Sequence, residues 1–549
     1  MSKVVIFSIL ISLSLSANNS RLKEQYKTRV LQNRVAYIPS MCYTKTEDKS
    51  KDIHNPCYAC HTKSLKPNYI NDEDLQKSYS FPLYARENHW KNLFLNRHKA
   101  IQKISDKKIE IYINKSNYFD KNHEIILEKK LKNLPASWDI FDNNHWYGDT
   151  PNAYFNFDKQ GFDINPKTKK STGWRAFAYT PFLGTFWATN GSTDDVLIRL
   201  DKIFMQDSDG LFNKTIYRIN LAIVEALILQ RNVYIEPVDE SLLDYDLNHN
   251  GKLDTSNKVV FLKENKKMSY VGLAQKKLQE NKIHLERGLF PERTAFLHSV
   301  RYIDFDKKGN LTLSKRMKEL RYAIKKYWVS SEKLKEKAEI EAFEKKTYPE
   351  HLRQFSGNIQ IGLDNKQGWY YQGFIEDSKG DLRPQTYEET VYCMGCHSGL
   401  GVTTDGIFAF ARKISQQGTF QNGWFYAPHH PKKKIAEALR RDGKYEYEFY
   451  LQANHAGDEF RANEELKNKV FLKDNKLNNL FIKSVHRDIG QLIIPSKKRA
   501  LLLNKSYLTL VKEQGFILGR EASIEPLDTV HKKLDENQTT HIEKILSAQ

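Results

Sequence analysis

Two five-residue stretches carry side chains whose types and spacing could do chemistry: Cys57-Tyr58-Ala59-Cys60-His61 and Cys393-Met394-Gly395-Cys396-His397. Both read C-x-x-C-H. Two thiols three residues apart can add across the two vinyl groups of one porphyrin. The adjoining imidazole then falls to the iron, so the spacing is that of covalent haem c attachment. Two other readings compete. A thioredoxin-like dithiol lacks a βαβ context, and a split zinc site made by the two cysteine pairs leaves both histidines without a role. The cofactor-binding set is therefore Cys57, Cys60, His61, Cys393, Cys396 and His397, with His61 and His397 as proximal ligands of two covalently bound haem c groups.

What sits on the far side of each iron is constrained by the methionines, at positions 1, 41, 205, 268, 317 and 394. None follows the second motif, and none follows the first at the distance where a small electron-transfer cytochrome places its sixth ligand. The remaining options are a second histidine or an open position. His298, in the apolar and aromatic stretch Thr294–Asp304, is the foremost distal candidate; a satisfied core histidine is its alternative. His98, His429, His430, His455 and His486 are further imidazoles downstream of the motifs. The fifth cysteine, Cys42, has no obvious disulfide partner.

A second constellation is Asp246-Leu247-Asn248-His249-Asn250-Gly251-Lys252-Leu253-Asp254. Asp246, Asn248, Asn250 and Asp254 offer side-chain oxygens at positions 1, 3, 5 and 9 of a calcium loop, Gly251 supplies the sharp turn and Lys252 a backbone carbonyl. Position 12 is Asn257, so the usual bidentate glutamate is missing. Calcium here is structural rather than catalytic. The alternative is an ion-free turn rich in Asp and Asn.

The elements that must position these residues follow from periodicity. Residues 1–17 read as a signal peptide, with Lys3 ahead of an apolar run from Val4 to Leu15 and a small-residue cleavage zone. Residues 18–135 read as an N-terminal haem c region, in which Ser105 caps a helix carrying Ile109, Tyr112 and Ile113. Residues 136–390 form a central mixed block of short strands, among them Val196–Leu200 and Val233–Pro237, with the calcium-like loop. Within it, Ser314 opens a run with Met317, Leu320, Ile324 and Tyr327 at helical spacing, and a charged helix follows from about Ser331 to Lys346. Residues 391–549 make a C-terminal haem c region that closes with a helical tail near Glu536–Ser547. The fold class is α+β, with helical cytochrome c-like haem regions flanking the mixed centre.

The formal charge is +19, from 86 Lys and Arg against 67 Asp and Glu. No nucleic-acid motif accompanies it, so the field suits an acidic redox partner protein or an anionic membrane surface. Beyond the leader, no apolar stretch is long enough to span a membrane. Export by the leader agrees with extracytoplasmic haem attachment and predicts a soluble periplasmic protein.

The two pentapeptides resemble those of c-type cytochromes. Two haems on one exported chain also resemble the bacterial dihaem peroxidase and MauG-like group, the haem-dependent rubber oxygenases and, around Thr294–Asp304 and Gly368–Gly373, large two-haem periplasmic cytochromes. The resemblance implies a periplasmic dihaem electron carrier, or else a dihaem oxidoreductase of peroxidase or oxygenase type with one open haem. A third reading is a binding module in which the haem is held without turnover.

Overall fold

The computed structural model describes residues 21–30, 34–47, 53–54, 57–176, 183, 191–263, 268–408, 434–440, 442–454, 462–474 and 476–546. The predicted leader at 1–17 and the candidate imidazoles His429, His430 and His455 lie outside them.

In chain order the strands are β1 (Arg29–Val30), β2 (Thr46–Glu47), β3 (Ile53–His54), β4 (Phe162–Ile164), β5 (Ser171–Ala176), β6 (Thr193–Arg199) and β7 (Val233–Asp239). They continue with β8 (Thr255–Val259), β9 (Ala295–Phe305), β10 (Leu311–Lys325), β11 (Ser356–Asn358), β12 (Gly362–Asp364), β13 (Trp369–Glu376) and β14 (Leu382–Pro384). Ten of these form one sheet in the order β1-β11-β12-β13-β10-β9-β6-β5-β4, with β14 on the side of β13. Its pairings are antiparallel.

This architecture overturns the expectation of helical cytochrome-like haem regions flanking a mixed block. The dominant element is an antiparallel sheet, and both C-x-x-C-H motifs sit on short turns: a 3-10 turn at Cys57–Ala59, and a 3-10 turn at Val391–Cys393 running into the single helical turn Met394–His397. The motif dictates only one turn of chain. It carries no information about the helices that surround such a turn in cytochromes.

The central strands are rich in β-branched and aromatic residues, as in the β9 sequence Ala295-Phe-Leu-His-Ser-Val-Arg-Tyr-Ile-Asp-Phe305. The predicted helical run from Ser314 is instead β10. Its register against β9 shifts between Leu313 and Met317 and again between Met317 and Glu319. Such irregularities change the phase of in-out alternation, so the apolar residues lose their period of two and fall at spacings that imitate a helix. The predicted helices at Ser105 and Ser331 do form. Asp106–Asn114 is capped by the Ser105 side chain, and Ser331–Thr347 by Ser330.

Directly paired residues share a sheet face. Val196 and Ile198 of β6, Phe296 and His298 of β9, Arg321 and Ala323 of β10, and Tyr371 and Gly373 of β13 therefore lie on one side. Ile198, Phe296, Ala323 and Tyr371 join a buried cluster with Val391 and Met394 of the second motif segment and with the helix Lys214–Leu229. The opposite face buries Trp174, Leu297, Leu320, Tyr322 and Phe374.

The predicted helical tail near Glu536–Ser547 is, over its described residues 536–546, an extended strap instead. It hydrogen-bonds along the first motif region: His531 N to Tyr43 O at 2.8 Å, Leu534 N to Arg86 O at 2.9 Å, Tyr79 N to Gln538 O at 2.9 Å and Thr540 N to Lys77 O at 3.1 Å. Tertiary partners satisfy backbone groups that an isolated polar tail would have satisfied within a helix.

His531, on this strap, is 8% exposed. Burial pushes its imidazole down to about 4, and Lys45 adds to the effect. The neutral form is favoured in the fold, so its stabilising share is complete above the ordinary value near 6.5 and lost as pH falls through about 4. Acidification from pH 7 to pH 4 should cost roughly 3 kcal/mol through this group. Urea unfolding at stepped pH should show that increment missing in His531→Phe.

Candidate functional site

The first motif is wound tightly. The amides of Cys60 and His61 both donate to Cys57 O, at 3.1 and 2.8 Å. Tyr58 and Ala59 are buried in a cluster with Tyr447, Tyr450 and Leu451 of the helix Glu446–Asn454, while Cys57, Cys60 and His61 are half-buried as whole residues. The second motif follows a capping box in which Thr386 and Glu389 exchange hydrogen bonds. Gly395, between its cysteines, lies under the chain at Tyr37–Pro39, where an added Cβ would stand 1.9 Å from Tyr37 O.

The fold brings the two motifs together. Val402 N, in the loop after the second motif, donates to Cys60 O at 3.2 Å. Cys60 and Cys42 both lie within electrostatic reach of Cys396, and Cys42 also within reach of Cys57. None of the five cysteines is in a disulfide. Burial first, and the neighbouring sulfurs second, push Cys42 and Cys60 well above the usual thiol range, and Cys396 up to about 11. Cys393 is raised less far, because Arg321 and Arg520 oppose the burial. A dithiol exchange centre needs the reverse, a stabilised thiolate. Among the described residues no group of three or more His, Cys, Asp or Glu side chains is placed to hold a metal ion, which also removes the split zinc site.

Each motif histidine is held through Nδ1. His61 Nδ1 lies 3.0 Å from Asp72 Oδ2, and His397 Nδ1 lies 2.9 Å from Gly406 O. A carbonyl or carboxylate only accepts, so Nδ1 carries a proton in both rings, the second contact by which a metal-ligating imidazole is oriented to present Nε2. Burial pushes His397 down to about 4, with Gly406 opposing and His298 and Arg321 adding to the shift, so the ring is neutral. Its ring packs 5.0 Å from Tyr371 and 5.5 Å from Phe408.

The surrounding scaffold holds both turns. Gln76 Nε2 donates to His61 O at 2.6 Å and to Leu546 O, at the end of the strap, at 2.8 Å. Asn365 Nδ2 donates to His397 O at 2.8 Å. Asp405, next to Gly406, forms a buried ion pair with Lys325 at 2.7 Å. Beside the first motif, a cavity of about 660 Å³ is bounded by His61, Asp72, Gly399 and Leu400 and by Ala338 and Ala342 of the helix Ser331–Thr347. That volume suits a bound small molecule.

His298 stands on the same sheet face as the second motif, across from Arg321 and within electrostatic reach of His397. Its Nε2 is engaged by Asp194 Oδ2 at 2.9 Å. Two of the other imidazoles are occupied elsewhere: His486 pairs with Glu448 at 2.9 Å, and His98 with Gln102 at 2.7 Å. In the calcium-like loop, Asp246 accepts from the amides of Asn250 and Gly251 at 3.2 and 2.8 Å. Asn248 accepts from Asn250 N at 2.9 Å, Asn250 from Lys252 N at 2.8 Å, and Asp254 from the Asn250 side chain at 3.3 Å. The buried Glu240 braces the loop by accepting from the amides of Leu247, Asn248 and Asp254.

Asp72, Gln76, Lys325, Asn365, Asp405 and Arg321 were not singled out by sequence reasoning. Asp72 is an ordinary turn residue by type, and Arg321 lies in the strand whose pattern imitates a helix.

A family profile described as "-like lipoprotein" matches residues 26–485. The chain belongs to this lipoprotein-like family. An "Uncharacterized lipoprotein" of Aquifex aeolicus (strain VF5) is 29% identical over 560 residues, covering 93% of this chain and 90% of its own length. No solved structure matches. Membership of the c-type cytochromes or the dihaem peroxidase and MauG-like group is thereby corrected: a likeness of two pentapeptides gives way to a match across most of the chain. The electron-carrier function, the oxidoreductase alternative and the description of the chain as a cytochrome fall with it. The protein is exported, and a lipoprotein family implies attachment at a membrane instead of free solution in the periplasm. Among the described residues no helix is long and apolar enough to cross a membrane.

Gly395→Ala tests the packing of the two motif regions. The methyl group meets backbone at Tyr37 and the ring of Pro39. Overpacking of this kind should cost about 1–3 kcal/mol, measured by denaturant unfolding.

Proposed function

We propose that this lipoprotein is a haem-holding module, with thioether-bound haem at Cys57, Cys60 and at Cys393, Cys396, and with His61 and His397 as the proximal iron ligands. One observation carries the reading: both histidines are held through Nδ1, by Asp72 and Gly406, so Nε2 of each is the nitrogen left to ligate. The cysteines beside them, half-buried as whole residues, supply the attachment atoms. When bound, the haem would supply an iron centre. The residues of the chain would bind it and orient the imidazoles, with Tyr371 and Phe408 packed on the His397 ring. The charge of +19 suits an anionic surface as the neighbour of a membrane-attached chain.

Mass spectrometry of tryptic peptides from protein made in a haem c-attaching host tests this. Both motif peptides should carry one haem mass, and Cys57→Ser with Cys60→Ser should remove it from the first peptide. Unmodified peptides in the native protein would refute the assignment.

For the loop at Asp246–Asp254 we infer structural calcium, supported by the convergence of Asp246, Asn248, Asn250 and Asp254 around the turn at Gly251. Chelator should lower the melting temperature and calcium restore it. Asp246→Ala should abolish that response, and a melting temperature indifferent to both additions would leave a plain turn.

A further inference from the structure

The loop after the second motif touches the first at the group that orients its histidine. Asp72 is buried and its carboxylate makes three contacts. Oδ2 receives His61 Nδ1 at 3.0 Å and Gly401 N at 3.3 Å, and Oδ1 receives Thr62 N at 3.0 Å. Gly401 belongs to the segment that leaves His397 and returns to it at Gly406, whose carbonyl accepts from His397 Nδ1. The same segment is clasped twice more from the first motif region. Asn68 Nδ2 donates to Leu400 O at 2.7 Å, and Cys60 O accepts from Val402 N at 3.2 Å. The approach at Gly401 is close: an added Cβ would lie 1.9 Å from Thr62 O and 2.5 Å from Asp72 Oδ1.

We propose that Asp72 couples the two haem sites, so that a change at either one alters how the histidine of the other is held. The proposal rests on the haem reading above and deepens it. Asp72 is a positioning residue. Its carboxylate orients the His61 ring and, through the Gly401 amide, holds the loop that presents the Gly406 carbonyl to His397. Coupling carried by one shared group is reciprocal. A displacement of Gly401 must disturb the Asp72 carboxylate, and loss of that carboxylate must release Gly401. The anchor at the far end of the loop, Lys325 with Asp405, keeps the loop from leaving the site, so the expected effect is an altered ligand orientation and not loss of the loop.

The test uses the full-length haem-loaded protein. Haem-methyl and axial-imidazole proton resonances, shifted by the ferric iron, report each site separately. Asp72→Asn should shift the resonances of both sites, because an amide offers one acceptor oxygen where the carboxylate offers two: an NH2 group then faces either His61 and Gly401 or Thr62 N, and the side chain must move from the shared contacts. Gly401→Ala, placed in the second motif's loop, should likewise shift the resonances of the His61 site. Asp72→Glu keeps a carboxylate one methylene out of place, and should move both sets by smaller amounts if the asparagine variant does not accumulate. Shifts confined to the His61 site in the Asp72 variants, and to the His397 site in Gly401→Ala, would overturn the coupling while leaving the haem assignment standing. Absence of haem from the unsubstituted protein would overturn both, and is seen before any variant is made.

Discussion

The register of β10 between β9 and β13 is the constraint on which the rest of the structure depends. It sets Phe296 and His298, Arg321 and Ala323, and Tyr371 and Gly373 in adjacent positions on one face. The second motif packs on that face through Val391, Met394 and the His397 ring. The two register irregularities in β10 are part of this arrangement. They reset the phase of the strand between its hairpin end and its central part, and only the central part lies under the motif. A slip of β10 by one residue would turn Arg321 and Ala323 to the opposite side and put Leu320 and Tyr322 in the floor of the site.

Buried charge is concentrated along the same strand and is compensated locally. Glu319 accepts from Arg321, Gln385 and Arg520, at 2.9, 2.9 and 2.6 Å, and these contacts hold its carboxyl down to about 2 against the burial that would raise it. Lys325 and Asp405 are paired at the strand end, both out of contact with solvent. Breaking such a pair is costly because it strands the other charge, so these contacts specify where the loops sit more than they add net stability. Asp405 adjoins the residue that holds His397, and Arg321 faces Cys393, so the ionic network of the sheet also sets the electrostatics of the centre.

The centre unites segments remote in sequence without a disulfide among its five cysteines. The C-terminal strap, the Tyr37–Pro39 turn over Gly395, and the Asp72 carboxylate each tie one motif region to another part of the chain. A match to the lipoprotein-like family over residues 26–485 therefore encloses both motifs and the sheet between them. Both motifs belong to one fold and not to two appended units.

Local chemistry was legible in the sequence. The C-x-x-C-H pentapeptides, the Ser105 cap, the charged helix from about Ser331, and the strands around Val196 and Val233 follow from side-chain type and near-neighbour spacing, which act over a turn or a few residues. The large antiparallel sheet was not legible. Its defining strand carries irregularities that give β10 a helical apolar spacing, and strand pairing depends on partners far away in the chain. The strap at the C-terminus was likewise read as a helix, because its partners, Tyr43 to Arg86, are remote. Sequence alone thus determined which residues could attach and ligate a cofactor. Only the tertiary structure decided that the two motifs meet, that Asp72 and Gly406 orient their histidines, and that a sheet face forms the floor. Those outcomes depend on hydrogen bonds and close approaches between segments whose separation along the chain leaves no local periodic trace.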